Sequence, residues 1–273
     1  MVKLGLDYLS VFGLEPVDFI HLARDLGLSS VGLNLRGASN SLSEASDVGF
    51  RNSPERRSAI TRALRDTGMT LALVEGFTAG PDDTVADMVR DLDHLAEMGA
   101  VSICHVSVDR DRLRMQARFR QLAELAAERG IFTTTEVGAG VARNLQAALE
   151  LAKAVDHSHF GLLIDTMHFF RSGATLSDFA AIDPVLIRHI QICDVPMPAT
   201  IKNYMEEALF ERCAPGDGDL PLAGLVEHIP SQTTIGLEIP IRSEAERGIS
   251  HRDRLARCVK QAGQLWLSSK EGK

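Results

Sequence analysis

The sequence predicts one α/β domain, residues 1–273, folded as a closed (β/α)8 barrel. Apolar runs of strand length alternate with helical patterns along the whole chain. There are eight such pairs, the number that closes a parallel barrel when every crossover is right-handed. An open doubly wound sheet is the alternative. We disfavour it because no GxGxxG motif follows the first strand. In addition, polar residues lie at the ends of several strands, whereas a doubly wound sheet would group them at one topological switch point.

The first four strand–helix pairs fill the N-terminal half of the chain. Apolar runs predict strands at Lys3–Val11, Ser30–Leu35, Met69–Gly76 and Val101–Val108. Apolar residues at helical spacing predict helices at Pro16–Gly27, Pro54–Thr67, Asp83–Gly99 and Leu113–Gly130. Ser53 is the expected cap of the second helix, directly before its proline. The polar stretch Arg36–Asn52 is expected to be a loop on the strand-to-helix side.

The last four pairs follow in the same way. Strands are predicted at Ile131–Gly138, Gly161–Ile164, Ile187–Val195 and Thr233–Ile239. Helices are predicted at Asn144–Val155, from near Thr175, at Pro221–His228 and at His251–Leu267. The turn-forming motifs PMP and PGDGD indicate one long loop over Pro196–Asp219.

Composition excludes several classes of function. The net charge of -8 and the pI near 5.6 argue against non-specific binding to nucleic acid or to an anionic membrane, which needs clustered Lys and Arg. The four cysteines form no CxxC or CxxH pair, so neither a thiolate zinc site nor a redox motif is supported. Reduced structural cysteines are the expected state.

The sequence argues against a signal peptide and a membrane span. Asp7 interrupts the first apolar run, and no small-residue cleavage site follows it, which argues against a signal peptide. No run reaches the roughly 18 uncharged apolar residues of a membrane span. We therefore expect a cytoplasmic protein that does not bind membranes.

The clearest functional signal is a set of oxygen-bearing side chains at the ends of the last four strands. These are Glu136 in TTTEVG, Asp165 in FGLLID, Gln191 in HIQICD and Glu238 in GLEIP. Strand ends of a parallel barrel meet at one face, where ligands and chemistry collect. Hard oxygen ligands suit Mg²⁺, Mn²⁺ or Co²⁺. The structural alternative is that each carboxylate caps a loop, but three buried carboxylates without a cation would be costly.

At TTTEVG, DTMH and GLEIP the chain resembles the sugar phosphate isomerase/epimerase superfamily of xylose isomerase-like barrels. That superfamily includes keto-sugar 3-epimerases, inosose dehydratase and 3-dehydroshikimate dehydratase, and the resemblance covers nearly the whole chain in strand order. Its members hold one divalent metal with Glu, Asp, His and Glu from strands five to eight. The resemblance implies that Glu136, Asp165 and Glu238 are metal ligands.

The chain departs from this pattern on strand seven. Where the family commonly has His-x-His-x-x-Asp, this sequence reads HIQICD, so Gln191 stands at the position of the ligand histidine. Glutamine is neutral like histidine but is a harder and weaker ligand, which favours Mg²⁺ or Mn²⁺ over Zn²⁺. Some 3-dehydroshikimate dehydratase-like members share this glutamine. The alternative is that Gln191 only hydrogen-bonds a neighbour.

Further site residues follow from the same resemblance or from strand-end position. Glu136 and Glu238 are implied as the acid–base pair on opposite sides of the substrate carbon. His168 is implied to bind substrate and take part in catalysis, and Arg212 to clamp a substrate carboxylate or hydroxyl. His105 ends a strand and is expected to line the same mouth. The alternatives are packed structural histidines and a solvated loop arginine.

These features predict a metal-dependent isomerase or epimerase that acts on a small polyhydroxy carbonyl compound through a metal-stabilised enediolate. If a β-hydroxyl leaves from the enolate, the same site is a dehydratase of the 3-dehydroshikimate or inosose type. A non-catalytic sugar-binding barrel is the second alternative. A DNA-repair endonuclease is disfavoured because the chain lacks a basic groove and further strand-end histidines. Exposed barrel faces in such enzymes often pair, so a homo-oligomer is expected.

Overall fold

The computed structural model describes residues 3–37, 40–42 and 48–271. Eight parallel strands form a closed barrel in chain order, and the first strand pairs with the last. The strands are β1 Leu4–Asp7, β2 Ser30–Asn34, β3 Thr70–Ala79, β4 Ser102–Ser107, β5 Phe132–Glu136, β6 Phe160–Asp165, β7 Ile187–Ile192 and β8 Thr234–Leu237. The predicted (β/α)8 barrel is confirmed.

Helices follow the strands around the barrel. In the described residues they are α1 Pro16–Asp25, α2 Pro54–Thr67, α3 Ala86–Glu97, α4 Arg112–Ala127, α5 Leu145–Val155, α6 Thr166–Arg171, α7 Leu176–Ala180, α8 Tyr204–Phe210, α9 Leu222–Val226, α10 Arg242–Glu246 and α11 His251–Glu271. The predicted cap of α2 is confirmed, since the Ser53 side chain accepts a hydrogen bond from the backbone N–H of Arg56. Thr175 likewise caps α7.

Three short helices were not predicted, and two of them shape the site. The first, α6, begins directly after β6 because the Asp165 side chain accepts from the His168 backbone N–H at 2.9 Å. The second, α8, interrupts the predicted loop and is capped by Asn203. The third is α10. These three helices of five to seven residues are too short to show a clear apolar period.

The first strand is shorter than predicted. It ends at Asp7, and Tyr8–Val11 form a 3₁₀ turn that is followed by Phe12 in the left-handed region at φ 51°. The Tyr8 hydroxyl bonds the Leu14 carbonyl oxygen across this turn. The chain therefore turns away from the barrel soon after the carboxyl end of β1. Part of the predicted loop Arg36–Asn52, residues 38–39 and 43–47, lies outside the described residues.

The barrel interior contains an apolar cluster and a buried hydrogen-bonded pair, His189 and Asp7. Leu73, Cys104 and Leu163 form a buried cluster apart from the main core between barrel and helices. Because β6 is not a neighbour of β3 or β4, these side chains meet across the interior. The predicted site lies at the carboxyl ends of the strands, where Glu136 and Asp165 are the last residues of β5 and β6.

No helix in the described part of the chain combines the length and hydropathy that a membrane span needs. The cytoplasmic location and the assignment of the whole chain to one domain stay predictions.

Candidate functional site

The carboxyl ends of β5 to β8 bring the predicted ligands together. Glu136 is the last residue of β5 and Asp165 the last of β6. Gln191 on β7 is paired in register with Asp165. Glu238 follows β8 directly, and its backbone N–H donates to the Ile192 carbonyl oxygen at 3.1 Å, which continues the β7–β8 ladder. Strand register therefore fixes the backbone of all four positions.

Arg212 lies inside this group. It is 2% exposed. Its guanidinium contacts Asp165, and its Nη1 lies 3.0 Å from Glu238 Oε2. Its Nε donates to the Ala208 carbonyl oxygen at 2.8 Å. Although burial acts to raise the pKa of Asp165, the Arg212 guanidinium holds that pKa below its ordinary value. Arg212 thus supplies a positive charge to two of the predicted metal ligands.

Gln191 carries an unsatisfied acceptor. Its Nε2 donates to Glu238 Oε1 at 2.9 Å and lies 3.5 Å from Glu75 Oε1. Its own Oε1 is buried and has no hydrogen-bond partner among the described residues. A buried acceptor without a partner costs about 1–3 kcal/mol, and this oxygen is the atom through which a glutamine coordinates a cation. Its role as a ligand stays a prediction.

A second group of possible metal ligands lies beside Arg212. One ligand atom from each of Glu136, Asp165 and His168 lies within 4.8 Å of the other two. His168 Nε2 is 3.5 Å from Glu136 Oε1, and His168 Nδ1 forms a hydrogen bond with the Tyr204 hydroxyl. Burial lowers the pKa of His168, so its imidazole is neutral near pH 7.

A glycine of the TTTEVG motif makes room for His168. Gly138 has φ 103°, in the left-handed region, and a Cβ added there would lie 2.9 Å from the His168 Cβ. A side chain at this position would therefore push α6 away from the end of β5. The motif combines a carboxylate with the close approach that places the imidazole beside it.

Among the described residues of the site, carboxylate side chains outnumber positively charged side chains. Burial raises the pKa of Glu136 to about 8, and burial likewise raises that of Glu75 on β3 to about 7. A divalent cation would relieve the repulsion between these buried carboxylates. The carboxylates, the neutral imidazole of His168 and the unpartnered oxygen of Gln191 are together a donor set that fits such an ion.

The structure corrects the prediction that His105 lines the mouth of the site. Its ring packs against Phe119 of α4 with the ring centroids 4.5 Å apart, and its Nδ1–H donates to the Phe77 carbonyl oxygen at 2.9 Å. Its neighbours Cys104 and Val106 belong to the interior cluster. Because side chains alternate along a strand, His105 faces the helix layer and does not line the substrate mouth.

The PGDGD loop is held by Asp194. The Asp194 carboxylate accepts backbone N–H bonds from Val195 and Gly216 at 2.9 Å and from Leu220 at 3.0 Å. This aspartate therefore shapes the loop that follows Arg212. The backbone N–H of Arg212 in turn donates to the Pro240 carbonyl oxygen at 2.8 Å.

Tyr204 is the site residue that sequence reasoning missed, because nothing in the predicted loop singled it out.

A model of the xylose isomerase-like TIM barrel family matches residues 20–258. The chain therefore belongs to this family of barrels. A comparison with curated protein sequences finds no match.

Solved structures share the fold at low sequence identity. A xylose isomerase-like TIM barrel/4-hydroxyphenylpyruvate dioxygenase fusion protein is 20% identical with a TM-score of 0.79, over 98% of this chain but 43% of that protein's length. The IOLI protein with a bound zinc atom is 13% identical with a TM-score of 0.77, over 98% of both chains. The probable 3-DHS dehydratase AsbF from Bacillus anthracis is 16% identical with a TM-score of 0.73, over 95% of this chain and 98% of that one. Epimerases of this fold are also similar.

Gln191→His is expected to tighten Zn²⁺ binding by about tenfold or more, because an imidazole nitrogen is a better zinc ligand than an amide oxygen. Isothermal titration with Zn²⁺ and Mg²⁺ measures the effect. Gln146→His on the exposed side of α5 is the matched control, with no expected change. A Zn²⁺ affinity equal to that of the wild-type protein would show that Gln191 is not a ligand.

The metal-free protein is expected to lose stability as pH rises from about 6.5 to 8. The folded-state pKa of Glu136 is raised from 4.5 to about 8, so the folded state binds more protons than the unfolded state in this window. Its stabilising contribution is complete below the ordinary pKa and is lost as pH rises through the folded pKa. Urea unfolding in EDTA measures the slope, and Glu136→Gln should flatten it. A free energy of unfolding that rises with pH would contradict the expectation.

Proposed function

We propose that the protein is a metal-dependent dehydratase that removes water from a small cyclic polyhydroxy carbonyl compound, by enolisation followed by loss of a β-hydroxyl. The proposal rests on a difference in exposure and in bonding partners between Glu136 and Glu238. Glu136 is partly exposed and lies beside His168, whereas Glu238 is 4% exposed and both of its carboxylate oxygens have partners.

This difference between Glu136 and Glu238 helps to distinguish epimerisation from elimination. Two-base epimerisation needs a carboxylate on each face of the substrate carbon, one to take the proton and one to return it. Glu238 Oε1 accepts from Gln191 and its Oε2 pairs with Arg212, so this carboxylate is tied to the protein. The geometry therefore favours chemistry with one base, Glu136.

Elimination needs only one base when the proton and the hydroxyl leave from the same side. Glu136 takes the proton from the carbon next to the carbonyl, and the electron pair of the C–H bond forms the enolate. The enolate then re-forms the carbonyl as the C–O bond to the β-hydroxyl breaks. The proton on Glu136 leaves with that hydroxyl as water, so the protein ends in its starting protonation state. His168, with its Nε2 3.5 Å from Glu136, is placed to orient the leaving hydroxyl.

A divalent cation, for which Glu136 and Asp165 with His168 or Gln191 are the fitting residues, would act as a Lewis acid toward negative charge developing on the carbonyl oxygen. Arg212 pairs with both Asp165 and Glu238 and so holds these two carboxylates in place. One further point supports the dehydratase over a one-base sugar isomerase: the glutamine at position 191 resembles dehydratase-like members of the superfamily.

The test presents the Mn²⁺-loaded protein with 3-dehydroshikimate and, separately, with a panel of ketohexoses in deuterated water. We expect an ultraviolet-absorbing conjugated product from 3-dehydroshikimate and no deuterium in the ketohexoses. Deuterium incorporation into a ketohexose without loss of water would instead establish an epimerase or isomerase. No reaction with any of them, together with tight sugar binding, would favour a non-catalytic barrel.

A further inference from the structure

We propose that Ser10 is a positioning residue whose hydroxyl takes the place of a strand neighbour on both sides of Glu238 and so fixes where the Glu238 carboxylate points. The Ser10 hydroxyl donates to the Leu237 carbonyl oxygen at 3.2 Å. The same Oγ accepts a hydrogen bond from the Ile239 backbone N–H at 2.8 Å. Ser10, Leu237 and Ile239 are all fully buried. One side chain thus serves the two peptide groups that flank Glu238.

The need for this hydroxyl follows from the early end of β1. The register between β1 and β8 pairs Leu6 with Leu237, and β1 ends one residue later at Asp7. Beyond that point the chain leaves the sheet for the 3₁₀ turn Tyr8–Val11, so it no longer offers strand hydrogen bonds to the continuation of β8. A hydroxyl has one donor and can accept, as a peptide unit does, so Ser10 satisfies both buried groups.

The other side of the Glu238 backbone is held by β7. The Glu238 N–H donates to the Ile192 carbonyl oxygen at 3.1 Å. The carboxylate then lies with Oε1 accepting from Gln191 Nε2 at 2.9 Å and with Oε2 3.0 Å from Arg212 Nη1. Loss of the Ser10 hydroxyl would leave two buried peptide groups without a partner. A backbone rotation that satisfied them elsewhere would turn the Glu238 side chain away from these contacts.

The turn that carries Ser10 is itself held by the first residues of α11. The His251 Nε2–H donates to the Val11 carbonyl oxygen at 3.1 Å, and Arg254 Nη2 lies 3.5 Å from the Ser10 carbonyl oxygen. The Arg254 guanidinium also lies over the Phe12 ring, 5.3 Å from its centroid. Phe12 has φ 51°, a conformation that a bulky residue keeps only where its surroundings hold it. The turn is therefore a fixed support for the Ser10 hydroxyl.

The first test follows the Glu238 carboxylate through Gln191, by ¹H–¹⁵N NMR of the metal-free protein. Ser10→Ala is expected to shift the side-chain amide signals of Gln191 and to speed exchange of the Ile239 amide hydrogen about tenfold or more. Ser102→Ala is the matched control, since the buried Ser102 hydroxyl also donates to a strand carbonyl oxygen, but from the first residue of β4. It should change neither. Unchanged Gln191 signals in Ser10→Ala would overturn the proposal.

The second test asks whether Ser10 affects metal binding through Glu238, and it rests on the proposed function. Ser10→Ala should weaken Mn²⁺ binding about tenfold or more, whereas Ser102→Ala should leave it within about twofold. In a Glu238→Gln background, Ser10→Ala should have no further effect, because the carboxylate that Ser10 positions is already absent. Wild-type Mn²⁺ affinity in Ser10→Ala, or an equal loss of affinity in both backgrounds, would contradict the assignment.

If Ser10→Ala does not fold, the isosteric pair Ser10→Thr and Ser10→Val replaces it. Threonine keeps the hydroxyl, so Ser10→Thr should retain the Gln191 signals of the wild-type protein and Ser10→Val should shift them. Identical signals in the two variants would refute the role of Ser10. A wild-type protein that binds no Mn²⁺ would refute the proposed metal site, and the Gln191 signals would still decide the role of Ser10, so the two proposals fail separately.

Discussion

Glu136→Gln is expected to lower kcat by about 10²- to 10⁴-fold, the usual contribution of a positioned general base. Glutamine keeps the size of the side chain but cannot take a proton from carbon. The carboxylate is the partly exposed member of the glutamate pair and lies next to His168. Turnover of the substrate by purified wild-type and variant protein, each with its bound metal measured, gives the effect.

Glu150→Gln on the exposed face of α5 is the matched control, and its turnover should equal that of the wild-type protein. Measuring metal content separates loss of the base from loss of a ligand. A metal-loaded Glu136→Gln protein with a near wild-type rate would rule out Glu136 as the base.

Arg212→Met is expected to lower the free energy of unfolding by about 3–5 kcal/mol, the usual cost of removing one partner of a buried ion pair. The substitution leaves Asp165 and Glu238 buried without their shared counter-charge. It also removes the hydrogen bond from Nε to the Ala208 carbonyl oxygen. Chemical unfolding in EDTA measures the loss without a contribution from bound metal.

Arg252→Met provides the comparison. Arg252 pairs with Asp25, but both side chains are 56% exposed, so its removal should cost no more than about 1 kcal/mol. Equal small losses in the two variants would show that Arg212 is not the counter-charge of the site. Metal added to Arg212→Met should recover more stability than metal added to the wild-type protein, because a divalent cation replaces the missing charge.

The barrel and its strand-end carboxylates were predictable because both depend on local pattern. Apolar runs mark buried strands, and strand ends in a closed parallel barrel meet at one face, so Glu136, Asp165 and Glu238 had to come close together. The short helix α8 was not predictable, since seven residues with an Asn cap resemble a loop in sequence. Tyr204 was missed with it.

The partners of Arg212 and the direction of His105 depended on three-dimensional packing. Arg212 precedes a turn-rich segment, which is equally typical of a solvated arginine, and only the fold shows that its guanidinium enters the carboxylate group. His105 lies in an apolar strand of a barrel, where both faces are buried, so apolar patterning does not distinguish inward from outward residues. Its contact with Phe119 settles that direction.

We propose that the carboxyl ends of β5 to β8 hold one divalent cation, and that the chemistry at Glu136 requires it. Titration of metal-free protein with Mn²⁺, followed by electron paramagnetic resonance of the free ion, tests it most directly. We expect one Mn²⁺ per chain in the wild-type protein and a marked loss of affinity in Glu136→Gln. No binding by the wild-type protein, or equal binding by the variant, would contradict the claim.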